Sequence, residues 1–238
     1  MNSSVFSPRI FTSGLFGGTG ASGGGGGNPV TSGLVFELLA TDLGGLSTSD
    51  PISTWSDHYA GGDFTAADSA RPTYRATGGP NSLPCARCDG ADDILQSAFS
   101  LDMRPATVII VMKKASTSFD IPYGGTPGNA FLYNWASDSC LQYAGGNIYF
   151  NIDPTVWNII TSVYGGADSV ARVNGVETLG DCGTSFTVGN SVCLGAWNSS
   201  AGYYCAEDVF AFIGYNRGLD ITERGDVEAW LNGLTSIF

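Results

Sequence analysis

The chain has 238 residues, a net charge of −12 and 13% charged residues, with 34 glycines and 12% aromatics. Such acidity excludes the phosphate contacts on which nucleic-acid binding rests, and it disfavours anionic membrane surfaces. Few charges with many glycines and aromatics point away from a helical protein and toward a sandwich with many turns, large enough to need no cross-links.

Residues 1–33 differ in composition from the rest. Ten are glycine, Gly23 to Gly27 without interruption, and Arg9 is the only charge. No core can be built from this, so an extended arm is expected. Apolar–aromatic pairs recur in it at a five-residue interval: Val5-Phe6, Ile10-Phe11 and Leu15-Phe16. A solvated linker has no need of them. They are expected either to fold back onto their own domain or, the preferred reading, to anchor the arm by burying these pairs in partner subunits. The start is no secretory signal: it lacks a basic beginning, and Pro8 and Arg9 interrupt the apolar residues. No run approaches the roughly 18–20 apolar residues of a membrane span.

From residue 34 the pattern is that of strands. Residues 34–40 begin the domain, and an irregular Gly-rich region with Trp55 and Asp57 runs to 65. Short strands are expected at 71–74 and 85–90, with another beginning at 92–95. The apolar run PATVIIVMK (105–113) reads as a central strand buried on both faces. Residues 129–133, 140–143 and 147–151 alternate as a meander, and 155–164 is a second long central strand. Residues 169–173 and 176–179 flank Asn174-Gly175, the favoured type I′ hairpin pair. Residues 186–188 and 192–196 precede a closing strand at 203–215. Asn216, Arg217 and Gly218 break that strand. Asp220 with Glu223 forms a D-x-x-E capping box; Val227, Trp230, Leu231 and Leu234 follow at helical spacing, with Gly233 as the expected stop. About a dozen short strands make a two-sheet antiparallel sandwich with a short C-terminal helix.

The closing segment AEDVFAFIGYNRGL (206–219) and the ITERGDVEAWLNGLTSIF that follows resemble the end of laminin-G-like, concanavalin A-like jelly-roll domains, in the version found in bacteriophage virion proteins. The resemblance continues upstream in LATDLGGL (39–46), TWSDHYAGGDF (54–64), RPTY (71–74), LPCARCDGADDIL (83–95) and SVARVNGVE (169–177), and covers 34–238. It implies an all-β jelly roll at 34–238 behind the arm. It also implies a non-enzymatic structural protein on the virion surface, a capsid decoration or a tail or fibre component. Its partners would be other virion proteins and copies of itself, with surface glycans as a further class. The alternatives are a secreted carbohydrate-binding module and a glycan-cleaving enzyme.

Catalysis is not expected. A glucanase needs two carboxylates facing each other, and the E-x-D-x-x-E and E-x-D-x-E strand signatures are absent. The five glutamates (Glu37, Glu177, Glu207, Glu223, Glu228) lie in separate elements, and the two on the helix are expected to be solvated or capping. His58 is the lone histidine and reads as a surface residue. There is no G-x-S-x-G elbow and no phosphate loop.

Domains of the resembled type bind glycans or calcium on the sandwich rim. Candidate calcium ligands are Asp57 and Asp63, Asp89, Asp92 and Asp93 in DGADD, and Glu207 with Asp208. The competing reading of DGADD is a simple turn. Candidate glycan platforms are Trp55, Trp135, Trp197, Tyr203 and Tyr204. Of the six cysteines, Cys85-x-x-Cys88 has no second pair with which to hold zinc, and residues three apart in a strand face opposite ways. Cys88 takes the place of a core aromatic in the resembled domains and reads as a small buried hydrophobe. Cys182 and Cys193 flank a short turn and are a candidate cross-hairpin pair.

Overall fold

The computed structural model describes residues 26–59, 62–99, 105–114, 120–126, 131–136, 139–184, 191–198 and 203–238. The arm residues Val5, Phe6, Ile10, Phe11, Leu15 and Phe16 lie outside these, as do 186–188 and the Trp135 side chain. In chain order the strands are β1 (Leu34–Leu39), β2 (Thr54–Trp55), β3 (Phe64–Thr65), β4 (Thr73–Arg75), β5 (Cys85–Asp89), β6 (Leu95–Ser97), β7 (Ala106–Lys114), β8 (Asp120–Thr126), β9 (Phe131–Ala136), β10 (Ser139–Tyr143), β11 (Asn147–Asn151), β12 (Asn158–Tyr164), β13 (Ser169–Val173), β14 (Val176–Gly180), β15 (Ser191–Leu194) and β16 (Ala206–Tyr215). The helix α1 (Ile221–Thr235) follows.

They form two antiparallel sheets, the expected jelly-roll sandwich. The first runs β14-β13-β12-β7-β16-β5-β4, with β1 also paired to β16; the second runs β11-β10-β9-β8-β15-β6-β3-β2. The strands β7, β12 and β16, buried along nearly their whole length, sit side by side in the first sheet, where both faces are covered. β16 keeps β7 along one edge. Its other edge is shared: β5 takes 206–209 and β1 takes 211–215. Between the sheets, Phe36 packs against Phe64 and Phe212 with ring centroids 5.2 and 4.9 Å apart. Phe36 pairs across the ladder with Gly214, and its ring fills the space a side chain there would take.

β8 is a strand the sequence did not announce. DIPYGGT carries a proline and two glycines, which read as a turn. The Asn174-Gly175 turn holds φ of 50° and 81°, as the hairpin requires.

The capping box forms as expected. Asp220 Oδ1 accepts from the N–H groups of Thr222 and Glu223 at 2.8 and 2.9 Å, and Glu223 Oε2 accepts from Asp220 N–H at 3.0 Å. Arg217 donates twice to the same Glu223 carboxylate, both at 2.7 Å, which with the Asp220 N–H lowers its pKa to about 2. Two helix expectations are corrected. Gly233 does not end the helix, which runs to Thr235; Ser236 is the left-handed cap, with φ 52°. Asn232 holds that turn, its Oδ1 accepting from the N–H groups of Ile237 and Phe238. Glu228 is not solvated. It is 2% exposed, accepts from the Thr161 hydroxyl at 2.7 Å and pairs with Arg172 at 3.0 Å, because α1 lies on β12 and β13.

The last part of the expected arm is tied to the sandwich. Gly26 O accepts from Trp230 Nε1, Asn28 donates to Glu37 and Tyr215, and Arg217 Nε donates to Ser32 O. All six cysteines are buried thiols. The candidate Cys182–Cys193 pair does not form: Cys182 follows β14 in the first sheet and meets the Ser169 hydroxyl, whereas Cys193 lies in β15 of the second. Among the described residues no helix is long and apolar enough to cross a membrane.

Candidate functional site

The side chains of the second sheet alternate between the core and an outer face. On β10, Cys140 joins the main core and Gln142 donates across the sandwich to Val163 O at 2.7 Å. Leu141 and Tyr143 therefore face outward. On β11, Ile148 and Phe150 point in, and Asn147 and Tyr149 point out. On β8 a register shift between Asp120 and Tyr123 turns Ile121 to the outside. Ile121 and Leu141 make a small apolar cluster of their own, and Tyr143 and Trp197 pack on it.

The chain returns to this face after β15. Gly195 N–H donates to Pro122 O at 2.7 Å, and Ile121 N–H donates to Tyr203 O at 3.3 Å. Gly124 makes the return possible, because the Trp197 backbone passes directly over it. The Trp197 and Tyr203 rings then meet edge to face, centroids 5.9 Å apart at 61°. Tyr203 adopts φ 71° and stands 50% exposed. Tyr149 lies opposite Leu141 in register and is 52% exposed. Its hydroxyl accepts from the Asn147 amide at 3.3 Å.

Among the described residues, these rings and the amide stand on the outer face at β11, β10 and the return after β15. Exposed aromatic faces with an adjacent amide suit a ligand that has flat C–H surfaces and hydroxyls. The sequence pointed to Trp197 and Tyr203, and the structure brings them together; Tyr204 is half-buried beside them. Tyr143, Asn147 and Tyr149 were missed, although the alternation of NIYFN carried the signal. Trp55 is a correction. It is fully buried, its indole N–H donates to Leu39 O at 3.2 Å, and no sugar can reach its ring.

Asp89, Asp92 and Asp93 come together, with carboxylate oxygens within 4.8 Å of one another. Asp93 Oδ2 accepts from Asp89 N–H and Asp89 Oδ1 from Ala91 N–H, so two of the three hold their own turn. Burial, with Asp89 and Asp92 nearby, pushes Asp93 up to about 6. Calcium takes roughly six to eight oxygens, so with one oxygen each of Asp89 and Asp93 already accepting from the turn it would need backbone carbonyls or water besides these carboxylates. Asp57 and Asp63 belong to a different turn: Asp57 Oδ1 accepts from Glu37 and Tyr59 N–H groups, and Asp63 Oδ1 accepts from Asp57 N–H. Glu207 and Asp208 are also separated, because neighbours on a strand face opposite ways. Asp208 receives Arg87 through Nε and Nη2 at 2.5 and 2.8 Å. Glu207 is 1% exposed; burial and the Asp120 charge raise its pKa, and Lys114 and the Cys205 thiol oppose this. Lys114 pairs with Asp120 in the same buried region. His58 is exposed, 3.6 Å from Asp42.

No family model matches the sequence, and no curated protein matches it. Solved structures do match in fold. Trypanosoma rangeli sialidase in complex with sialic acid aligns at TM-score 0.59 and 14% identity, over 85% of this chain and 33% of that one. Domain 4 of AbnA, a GH43 extracellular arabinanase from Geobacillus stearothermophilus, in complex with arabinotriose, aligns at TM-score 0.56 and 13% identity, over 82% of this chain and 98% of that one. The botulinum neurotoxin serotype D/C binding domain aligns at TM-score 0.52 and 8% identity, over 84% and 52%. The chain spans about a third of the length of the sialidases it matches. At such identities the likeness is one of fold: a β-sandwich.

Proposed function

We propose that this chain is a non-catalytic, glycan-binding β-sandwich that holds an extended saccharide against the outer face of its second sheet. The observation that carries this is the row of outward rings, Tyr149, Tyr143, Trp197 and Tyr203, with Asn147 among them, on a sheet whose other face is the core. Trp197 and Tyr203 stack the sugar, Tyr149 extends the platform, and the Asn147 amide reads a hydroxyl. Likeness to the arabinanase domain, which covers nearly all of that domain, supports the same reading. A glycan array probed with the full chain and with Tyr149→Ala tests it. Binding to at least one neutral oligosaccharide, weakened in the variant, is expected; silence across all sugar classes overturns it.

For its setting we propose the virion surface of a bacteriophage, as a capsid decoration or a tail or fibre component among other virion proteins and copies of itself. The closing motif AEDVFAFIGYNRGL and the helix after it support this. Residues 1–25 then serve as the attachment. Deleting them should release the protein from particles, and unchanged incorporation would refute the attachment role.

A further inference from the structure

A cluster of ionisable side chains is buried between the sheets, where β7 ends and β8 begins. Lys114 is the last residue of β7, and its ammonium pairs with the carboxylate of Asp120, the first residue of β8. The two side chains are 1% and 5% exposed. Glu207 of β16 stands directly opposite Lys114 in the β7–β16 ladder, so both side chains leave the sheet on the same face, with Cβ atoms about 5 Å apart. The neighbouring Lys113 belongs to the other face, where it meets Asp208 at 3.6 Å. The Cys205 thiol hydrogen-bonds with both carboxyls, and the Ala206 N–H donates to Asp120.

One ammonium thus faces two carboxyls and cannot balance both. Burial raises Glu207 well above its ordinary value, so this carboxyl keeps its proton. Burial raises Asp120 as well, against the pull of Lys114, Cys205 and the Ala206 N–H. A buried ion pair is costly, because each charge has lost its water. Passing one proton from nitrogen to oxygen relieves that cost and leaves an amine against a carboxylic acid, with the protonated Glu207 beside them. These are the groups that amide condensation needs: a nucleophile, an electrophilic carboxyl carbon and a carrier for protons. The Ala206 N–H is already aimed at the carboxyl on which an oxyanion would develop. All three side chains are shut away from solvent, which favours the loss of water over its return.

We propose that Lys114 and Asp120 condense into an intramolecular amide that staples the two sheets together, with Glu207 as the proton carrier. The ammonium first passes one proton to the Asp120 carboxylate. The amine nitrogen then attacks Asp120 Cγ, and Glu207 accepts a proton from that nitrogen while giving its own to the departing hydroxyl. The N–C bond forms, the C–O bond breaks, one water leaves, and Glu207 ends protonated as it began. The amide removes both buried charges and joins β7 to β8 independently of the backbone between them. Mass spectrometry of the reduced, denatured full chain tests this. The chain should be lighter than its sequence by one water, and cleavage after Phe119 should leave the segments on either side joined through Lys114 and Asp120. Lys114→Met and Asp120→Ala should each have their full mass. Glu207→Gln, its fold checked by a thermal melt, should form the amide about a hundredfold more slowly, followed as mass against time after synthesis. If the Lys114 and Asp120 variants do not fold, the wild-type digest decides alone. A wild-type chain of full sequence mass overturns the proposal, and so does an equal loss of water in Lys114→Met or segments that separate on cleavage after Phe119. Amide formation in Glu207→Gln at the wild-type rate overturns the role of Glu207.

Discussion

The backbone of Trp197 crosses directly over Gly124: a Cβ on residue 124 would lie 3.0 Å from the Trp197 carbonyl carbon and collide with its oxygen. No other residue tolerates this approach. The crossing lays first Trp197 and then Tyr203 on the outer face. Gly124→Ala is expected to lift it, at about 1–3 kcal/mol of stability, and to weaken saccharide binding with it. Urea unfolding and titration with the best array glycan measure the two effects. Unchanged affinity would show that the crossing does not position the platform.

Tyr149 tests the platform without touching the core. It is half exposed. Tyr149→Ala should change stability by no more than about 0.5 kcal/mol. The loss of one ring contact, about 0.5–1.5 kcal/mol, should weaken binding between twofold and tenfold. Calorimetric titration reads the affinity, and a thermal melt confirms the fold.

Glu207 should tilt stability against pH. Burial raises its pKa, so the native chain keeps a proton that the unfolded chain releases above the ordinary value of 4.5. The Glu207 contribution to stability is therefore full below that value and falls as pH rises, by about 1.4 kcal/mol per pH unit while the carboxyl stays protonated. Asp93, raised by burial to about 6, contributes in the same direction up to that pH. Glu207→Gln should flatten the fall of stability as pH rises above 4.5, as measured by urea unfolding at pH 5, 6 and 7. An unaltered slope would mean that Glu207 ionises freely in the native state.

Glu228 fastens the helix to the sheet. Glu228→Ala leaves Arg172 without its closest carboxylate and the Thr161 hydroxyl without its acceptor. Breaking a buried pair from one side costs about 3–5 kcal/mol. For a domain of this size, each kcal/mol lowers Tm by about 2–4 °C. A drop of a degree or less would mean that the helix is held by Val227 and Leu231 alone.

The parts of this fold that were legible are those where local chemistry and tertiary role agree. The runs at β7, β12 and β16 are mostly apolar on both faces because both faces are covered, so burial is written along most of their length. Asn174-Gly175 and Asp220 with Glu223 are short-range devices, readable without knowing what lies nearby. β8 was not legible, because the glycine that argues against a strand is there to let Trp197 pass, and that residue is distant in sequence. Trp55 looked like a loop aromatic, and only the position of the Leu39 carbonyl reveals it as core. Glu228 looked solvated because its partners, Thr161 and Arg172, come from other strands. Tyr149 sits in a visible alternation, but which side of that alternation is wet is decided by the first sheet.

The arrangement around β16 bears on how the chain matures. β1 has no strand partner other than β16 among the described residues, and β5 meets β7 only through it. As the polypeptide leaves the ribosome, the flanks of this sheet must wait, unjoined, for a segment synthesised some 170 residues after β1. Contacts so remote along the chain make for slow acquisition of structure and a long exposure of sticky edges. A frameshift or cleavage just upstream of residue 206 would therefore leave β14-β13-β12-β7, β5-β4 and β1 unjoined rather than a trimmed domain.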